Sequence, residues 1–185
     1  MEMELPEVDD KKSSLNSWVA ATVVVLSVFM ALCKVKDDNI VQAMQVAKAD
    51  TVDTWGEYQA KRLKIYINES AATQAELTAT GDAAKAYISK LRTKIVDLNK
   101  DADELKAKAK GLEKQYEDLG YRDDQFDLSD ALLSIAIAVA AVASLTEKRS
   151  MLILGWLFGA GGVVFGAAGF AGWALHPDWI IKLLT

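Results

Sequence analysis

Hydrophobic residues in this chain are collected into three uncharged blocks, with a long charged segment between the first and second. The blocks at 18–33, 131–146 and 151–175 contain no Asp, Glu, Lys or Arg. With their flanks, each approaches the roughly 20 apolar residues that a membrane-spanning helix needs. The pattern predicts an all-α membrane protein with transmembrane helices at 17–35, 128–146 and 151–175. The acidic tail 1–16 precedes them, and the short loop 147–150 makes the last two an antiparallel hairpin.

The charged segment 36–127 has the periodicity of long helices and contains no proline. From Ala84 to Leu119 the apolar residues recur at alternating spacings of four and three, which is the heptad pattern of a coiled coil. Gly81 followed by Asp82 predicts a reversal near 79–82. We therefore expect a long antiparallel coiled-coil hairpin whose second arm is held by Leu91, Ile95, Leu98, Leu105 and Leu112.

The first arm of this hairpin carries a broader and less regular apolar stripe. That breadth exceeds what one partner helix covers, so we predict that the hairpins assemble into a homo-oligomer. The stripe consists of Ile40, Val41, Met44, Ala47, Val52, Trp55, Tyr58, Leu63, Ile65 and Tyr66.

Small residues mark one face of the third block and one face of the second. In a membrane such residues let helix backbones approach closely. Two readings stay open: the faces pack the hairpin against itself, or one of them packs between protomers. The glycines are Gly155, Gly159, Gly162, Gly166 and Gly169, and the second block offers Ala131, Ser134, Ala138, Ala141 and Ser144.

Two segments resemble the bacterial domain-of-unknown-function 4337 family. One is the WGEYQAK segment at 55–61, which is similar to the family's W-x-x-Y-Q-A-K motif just beyond its first membrane helix. The other is QFDL at 125–128, leading into ALLSIAI at 131–137, at the entry to the second membrane helix. The chain departs from the family at Glu57, where a second tyrosine is expected, and in the glycine content of its third helix. The resemblance implies a bacterial membrane protein of this topology and adds no reaction.

The chemistry-bearing residues predict neither a catalytic centre nor a cofactor or metal site. The chain has one Cys and one His, and His176 has the surroundings of an interfacial or capping group. The acids Asp123, Asp124, Asp127 and Asp130 are read as favouring a helix N-terminus, with Asp127 as its N-cap, in preference to a cation site. The net charge of -5 and interleaved acids oppose nucleic-acid binding.

The leading hypothesis is a structural or scaffolding membrane protein that forms a ring or cage and has no enzymatic activity. The alternative is a pore or transport component whose channel is shaped by several protomers. A patch of Trp55, Tyr58, Gln59 and Arg62 is a candidate contact for another membrane protein, or else packs in the oligomer core. Basic residues of the tail and short loop predict a bacterial inner-membrane location, with the N-terminus cytoplasmic and the coiled coil periplasmic. The segment 176–185 is expected to lie along the membrane interface.

Overall fold

The computed structural model describes residues 10–173 and Leu175, with side chains from Ser14 onward. Throughout these residues the only regular secondary structure is helical. The helices are α1 (Asp10–Thr78), α2 (Asp82–Thr146) and α3 (Arg149–Ala171). Each contains a stretch long and apolar enough to cross a membrane, so the chain has the composition of a multi-pass membrane protein. Residues 1–9 of the acidic tail, His176 and the predicted interfacial segment lie outside the described residues.

The chain forms two compact units, and both long helices contribute to each. The membrane unit contains the described residues up to Gln42 and those from Leu119 onward; the helix-pair unit is Ala43–Asp118. The apolar stretches of all three helices belong to the membrane unit, while the heptad pattern of α2 belongs mainly to the helix-pair unit.

Small and branched apolar side chains from three helices form the core of the membrane unit. One cluster joins Leu15 and Val19 of α1 to Ala140 and Ala143 of α2 and Leu152 of α3. A second cluster is built from Leu26, Leu133 and Ala136, with further apolar side chains packed around it. Three helices therefore share one core.

The connection between α2 and α3 is shorter than the predicted loop 147–150, because only Glu147 and Lys148 separate the two helices. Glu147 adopts a φ of 56°, a left-handed conformation that reverses the chain in this small space. The other end of α3 comes at Ala171, before the end of the apolar block. There Gly172 takes a left-handed conformation, and the N–H of Trp173 bonds to Ala168 O at 3.0 Å.

The helix-pair unit has a single seam between α1 and α2. Ile65, Leu98 and Ala102 form its buried cluster, with Tyr58 and Ile95 packed against it. Later residues of α1 contact earlier residues of α2: Glu76 meets Arg92, Lys61 meets Asp101, and Trp55 meets Glu113. The two helices are therefore antiparallel in this unit.

The expected helix start at Asp127 is wrong, because α2 runs without interruption from Asp82. The first-arm stripe coincides with the seam in part: Ile40, Ala47 and Ile65 are buried, while Val52, Leu63 and Tyr66 are exposed. The seam also includes Thr51 and Thr54, which the stripe omits. The Thr51 hydroxyl donates to Ala47 O at 2.7 Å, so a threonine can enter the seam with its polar atom satisfied locally.

Candidate interaction surfaces and a buried carboxyl pair

The glycine face of α3 lies against α2 and α1 of the same chain. Gly155, Gly159, Gly162, Gly166 and Gly169 are all buried. A Cβ atom at Gly162 would lie 2.7 Å from Leu133 Cγ, closer than Cβ atoms approach other atoms in proteins, and 3.1 Å from the Leu133 backbone nitrogen, which is tighter than most such contacts. Glycine is therefore required there by the closeness of two helices.

The partner surface on α2 differs from the small-residue stripe suggested by the sequence. Contacts to the glycines come from Ser129, Leu133, Ala136 and Ala140, whereas Ala138 and Ala141 are exposed. The Ser129 hydroxyl donates to Gly162 O at 2.8 Å, which adds a polar contact between the helices. Ala138 and Ala141 are therefore accessible to a neighbouring molecule. Packing between protomers is the second of the two interpretations of this stripe.

Side chains of α2 satisfy the carbonyl groups at the C-terminal end of α3. The Arg122 guanidinium donates twice to Gly169 O, at 3.1 and 3.3 Å. The Gln125 amide donates to Trp173 O and to Leu175 O, each at 2.7 Å. Because the last carbonyls of a helix have no partner within it, and its C-terminus attracts positive charge, this arrangement anchors α3 to α2.

The patch predicted from the WGEYQAK segment is divided between the seam and its margins. Tyr58 packs on the Ile65 cluster. Trp55 makes an edge-to-face contact with the Tyr58 ring, and Trp55 Nε1 donates to Glu113 Oε1 at 2.9 Å. Arg62 bonds to the hydroxyl of Tyr66 at 2.9 Å. Gln59 is exposed on the outer side. Three of the four predicted residues are therefore half-buried beside the seam, and Gln59 is exposed.

The seam of α1 repeats at heptad spacing through Ala47, Thr51, Thr54, Ile65 and Ala72, all of which are buried. Three positions in each heptad point away from α2, and we name these positions between Gln45 and Leu77 the α1 outer face. All are exposed, and only Asp53 among the fifteen carries a charge. They are Gln45, Val46, Ala49, Val52, Asp53, Gly56, Gln59, Ala60, Leu63, Tyr66, Ile67, Ser70, Thr73, Gln74 and Leu77.

The corresponding α2 outer face has the opposite composition. Its fifteen positions are also exposed, but nine of them are charged. They are Ala86, Ser89, Lys90, Thr93, Val96, Asp97, Lys100, Asp103, Glu104, Ala107, Lys110, Gly111, Lys114, Glu117 and Asp118. One side of the helix pair is therefore a solvated charged surface, while the other presents an uncharged row that includes Leu63 and Ile67.

A buried carboxylate lies in the membrane unit, outside the predicted spans. The side chain of Asp37 is only 6% exposed; its Oδ2 accepts from Lys34 Nζ at 2.8 Å, and its buried Oδ1 has no donor among the described residues. The carboxyl group of Asp123 is within hydrogen-bonding reach of Asp37. Burial, this hydrogen bond and the neighbouring acids raise the pKa of Asp123 to about 7.

The other acids predicted to cluster here lie around this pair. Asp127 is more exposed, and partial burial followed by the charge of Asp37 raises its pKa, opposed by Lys34. All of these α2 acids are inside a continuous helix, so the expectation that they stabilise a helix N-terminus is wrong. Asp37 was missed because it follows the first apolar block among other charged residues, and its seam position appears only once the α1 heptads are aligned.

Two tryptophans, one of α1 and one of α3, meet near the α2–α3 connection. Trp18 and Trp156 make an edge-to-face contact with centroids 6.2 Å apart, and Trp156 Nε1 donates to Thr22 Oγ1 at 2.9 Å. They border a cavity of about 410 Å³ that Arg149 also lines. Amphipathic indoles beside a cationic group are typical of the boundary between hydrocarbon and lipid headgroups.

The comparison with known families agrees with this architecture. The family model described as Domain of unknown function (DUF4337) matches residues 15–172, which covers all three helices. The chain belongs to this family. No curated protein and no solved structure matches it. Membership of the DUF4337 family assigns no activity to the chain, so the evidence for its function is in its surfaces.

Proposed function

We propose that this DUF4337 protein is a structural or scaffolding membrane protein that assembles with copies of itself through the α1 outer face. The observation that carries the proposal is the contrast between an uncharged and a charged outer face on one pair of helices. A two-helix unit in water needs no uncharged face on its outside. Large side chains such as Leu63 and Ile67, each about three-fifths exposed, therefore support a covering partner.

Symmetry favours a second copy of the chain as that partner. When a surface meets its own copy about a two-fold axis, the residues close to the axis meet their own copies, so a charge there faces an identical charge. A face with few charges avoids this repulsion wherever the axis passes, and the α1 outer face has one charged position where the α2 outer face has nine. Copies anchored in one membrane with the same topology have their helix pairs on the same side of it, so that like faces can meet.

The dimensions of the face suit a specific interface. From Gln45 to Leu77, at 1.5 Å per residue, it extends roughly 50 Å. With a helix width of about 10 Å it would bury roughly 1,000 Å² counting both copies, which is near the lower limit of stable protein interfaces. Further contacts in the membrane unit, for instance through the exposed Ala138 and Ala141, would extend the two-fold contact into a ring or cage.

The heptad seam supports the coiled-coil description of the helix pair. Separately, the basic residues Lys148 and Arg149 at the short connection support a cytoplasmic location for that loop. On this reading the protein lies in the bacterial inner membrane with the helix pair in the periplasm. It acts without catalytic activity, by holding copies of itself, and other membrane proteins gathered by them, in a fixed arrangement. A pore has less support, because the glycine face meets helices of its own chain.

Native mass spectrometry of the detergent-purified full chain tests the assembly. Replacing both Leu63 and Ile67 by Lys should weaken self-association by about 10-fold or more, because apolar contact is lost and like charges face each other. Val96→Lys is the matched control, since Val96 is as exposed but lies on the α2 outer face. Circular dichroism should show the same helicity for all three proteins.

Two outcomes would contradict the proposal. One is a wild-type protein that stays monomeric in detergent and in lipid nanodiscs at concentrations of about 10 μM. The other is an oligomer that Val96→Lys disrupts while the Leu63 and Ile67 substitutions leave it intact. The second result would move the interface to the charged side of the helix pair.

A further inference from the structure

The buried Asp37–Asp123 pair poses a chemical problem that the proposed assembly does not address. Asp37 Oδ1 is buried without a donor among the described residues, although buried polar atoms in folded proteins nearly always have one. The group within its reach is another carboxyl, that of Asp123. Two ionised carboxylates cannot hydrogen-bond to each other, so this contact requires a proton on one of them.

We infer that Asp37 and Asp123 form a proton-binding site in which one proton is shared between the two carboxyl groups. The protonated oxygen of Asp123 donates to Asp37 Oδ1, while Lys34 donates to Asp37 Oδ2. Both oxygens of the buried carboxylate are then satisfied. Release of the proton to water leaves two facing carboxylates, of which Asp37 is bonded to Lys34.

The surrounding charges favour retention of this proton. From α1 the neighbours are Lys34 and Asp38, and the Cys33 thiol lies one turn away toward the membrane. From α2 they are Asp124 and Asp127, with Asp130 beside Asp127, all negative when ionised. The described part of α3 beyond Arg149 contains no charged residue. Acids therefore outnumber bases around the pair, and neutralising one acid relieves repulsion between α1 and α2.

A proton suits this site better than a metal ion. No group of three His, Cys, Asp or Glu side chains within the described residues is arranged to hold a metal. The Lys34 ammonium already takes one oxygen of Asp37, which a divalent cation would have to displace.

Proton release should loosen the contact of α1 with α2 near residue 37. Because the pKa of Asp123 is raised in the folded state, the stabilisation is fully present in acid and is lost as the pH rises through about 7. The pair is thus a device by which pH sets how firmly these helices are joined just outside the predicted spans.

Infrared spectroscopy of the full chain in detergent detects the proton directly, through the C=O stretch of a protonated carboxylic acid. The wild type should show this band at about pH 6 and lose it by about pH 8.5. Asp123→Asn should lack the band. The matched control Asp103→Asn, at an exposed position of α2, should retain it. Absence of the wild-type band at about pH 6 would overturn the inference without reference to any variant.

Thermal unfolding gives a second readout. The wild-type melting temperature should fall between about pH 5 and about pH 8.5, whereas Asp123→Asn should have a flatter profile because its amide donates to Asp37 at every pH. Equal profiles for the two proteins would contradict proton sharing. Stabilisation of the wild type by Ca²⁺ at about pH 8.5, without a titrating carboxyl band, would instead identify a cation site.

Discussion

The membrane unit and the helix-pair unit bury the same two helices in different ways. In the membrane unit a third helix covers α1 and α2, and glycines bring the backbones into close contact. In the helix-pair unit α1 and α2 pack against each other, and no other described residue covers the side of α1 away from the seam. An exposed apolar side chain therefore has a different physical consequence in each unit.

Exposed apolar residues of the membrane unit need no protein partner, because lipid is as apolar as they are. Val24, Val25 and Val28, for example, lie within the first apolar block. Leu63 and Ile67 are equally exposed, but they lie in the unit whose opposite face is charged, and there water is the alternative to a protein partner. The proposed assembly therefore depends on exposure in the helix-pair unit alone.

The largest effect is expected from a substitution that disrupts the seam of the helix-pair unit. Ile65→Ala should lower the free energy of unfolding by about 3 kcal/mol, because Ile65 is fully buried and its loss leaves a cavity. Leu63→Ala, two residues away on the α1 outer face, should change monomer stability by less than about 0.5 kcal/mol and weaken self-association instead. Thermal unfolding monitored by circular dichroism measures the first, and native mass spectrometry the second.

A smaller effect is expected at the closest helix contact of the membrane unit. Gly162→Ala should lower the free energy of unfolding in detergent by about 2 kcal/mol, because the added methyl group collides with the backbone and side chain of Leu133. Gly161→Ala is the control, since its Cβ would meet only Leu132 Cδ1, at an ordinary 3.5 Å. If both alanines were tolerated equally, close approach would not explain the glycine face.

The smallest effect is predicted at the C-terminal end of α3. Arg122→Met should cost about 1.5 kcal/mol, since it removes a charged donor to Gly169 O but retains most of the side-chain volume. Hydrogen exchange should rise first in the last turn of α3, with little change in the helix-pair unit. Unchanged exchange at residues 166–173 would show that Arg122 does not anchor this end.

Much of the fold follows from the sequence because the membrane demands long uncharged stretches. The spans, the break near Gly81 and the α2 heptads are all signalled by residue type, and Leu91 and Leu98 are indeed buried. The α1 seam is harder to read. Its core positions include Thr51 and Thr54 as well as Ile65, while its outer face includes Val52 and Leu63, so hydrophobicity alone does not define the edges of the seam.

The carboxyl pair depends on information that no local pattern contains. Asp37 and Asp123 are far apart in sequence, and each lies among other charged residues. Their contact follows from the alignment of the two antiparallel helices, which puts Asp37 in a seam position of α1. The acidic character of the region is evident from the sequence. The buried Asp37 Oδ1 without a donor is evident only in the folded structure.

The turn at Gly81 constrains how this family can change in length. Gly81 has a φ of 97°, and nothing lies within 4 Å of where its Cβ would be, so the reversal depends on backbone conformation alone. An insertion or deletion in one arm would slide every later seam position past its partner. Relatives should therefore lengthen or shorten α1 and α2 together, in matched heptads, with the glycine kept at the tip.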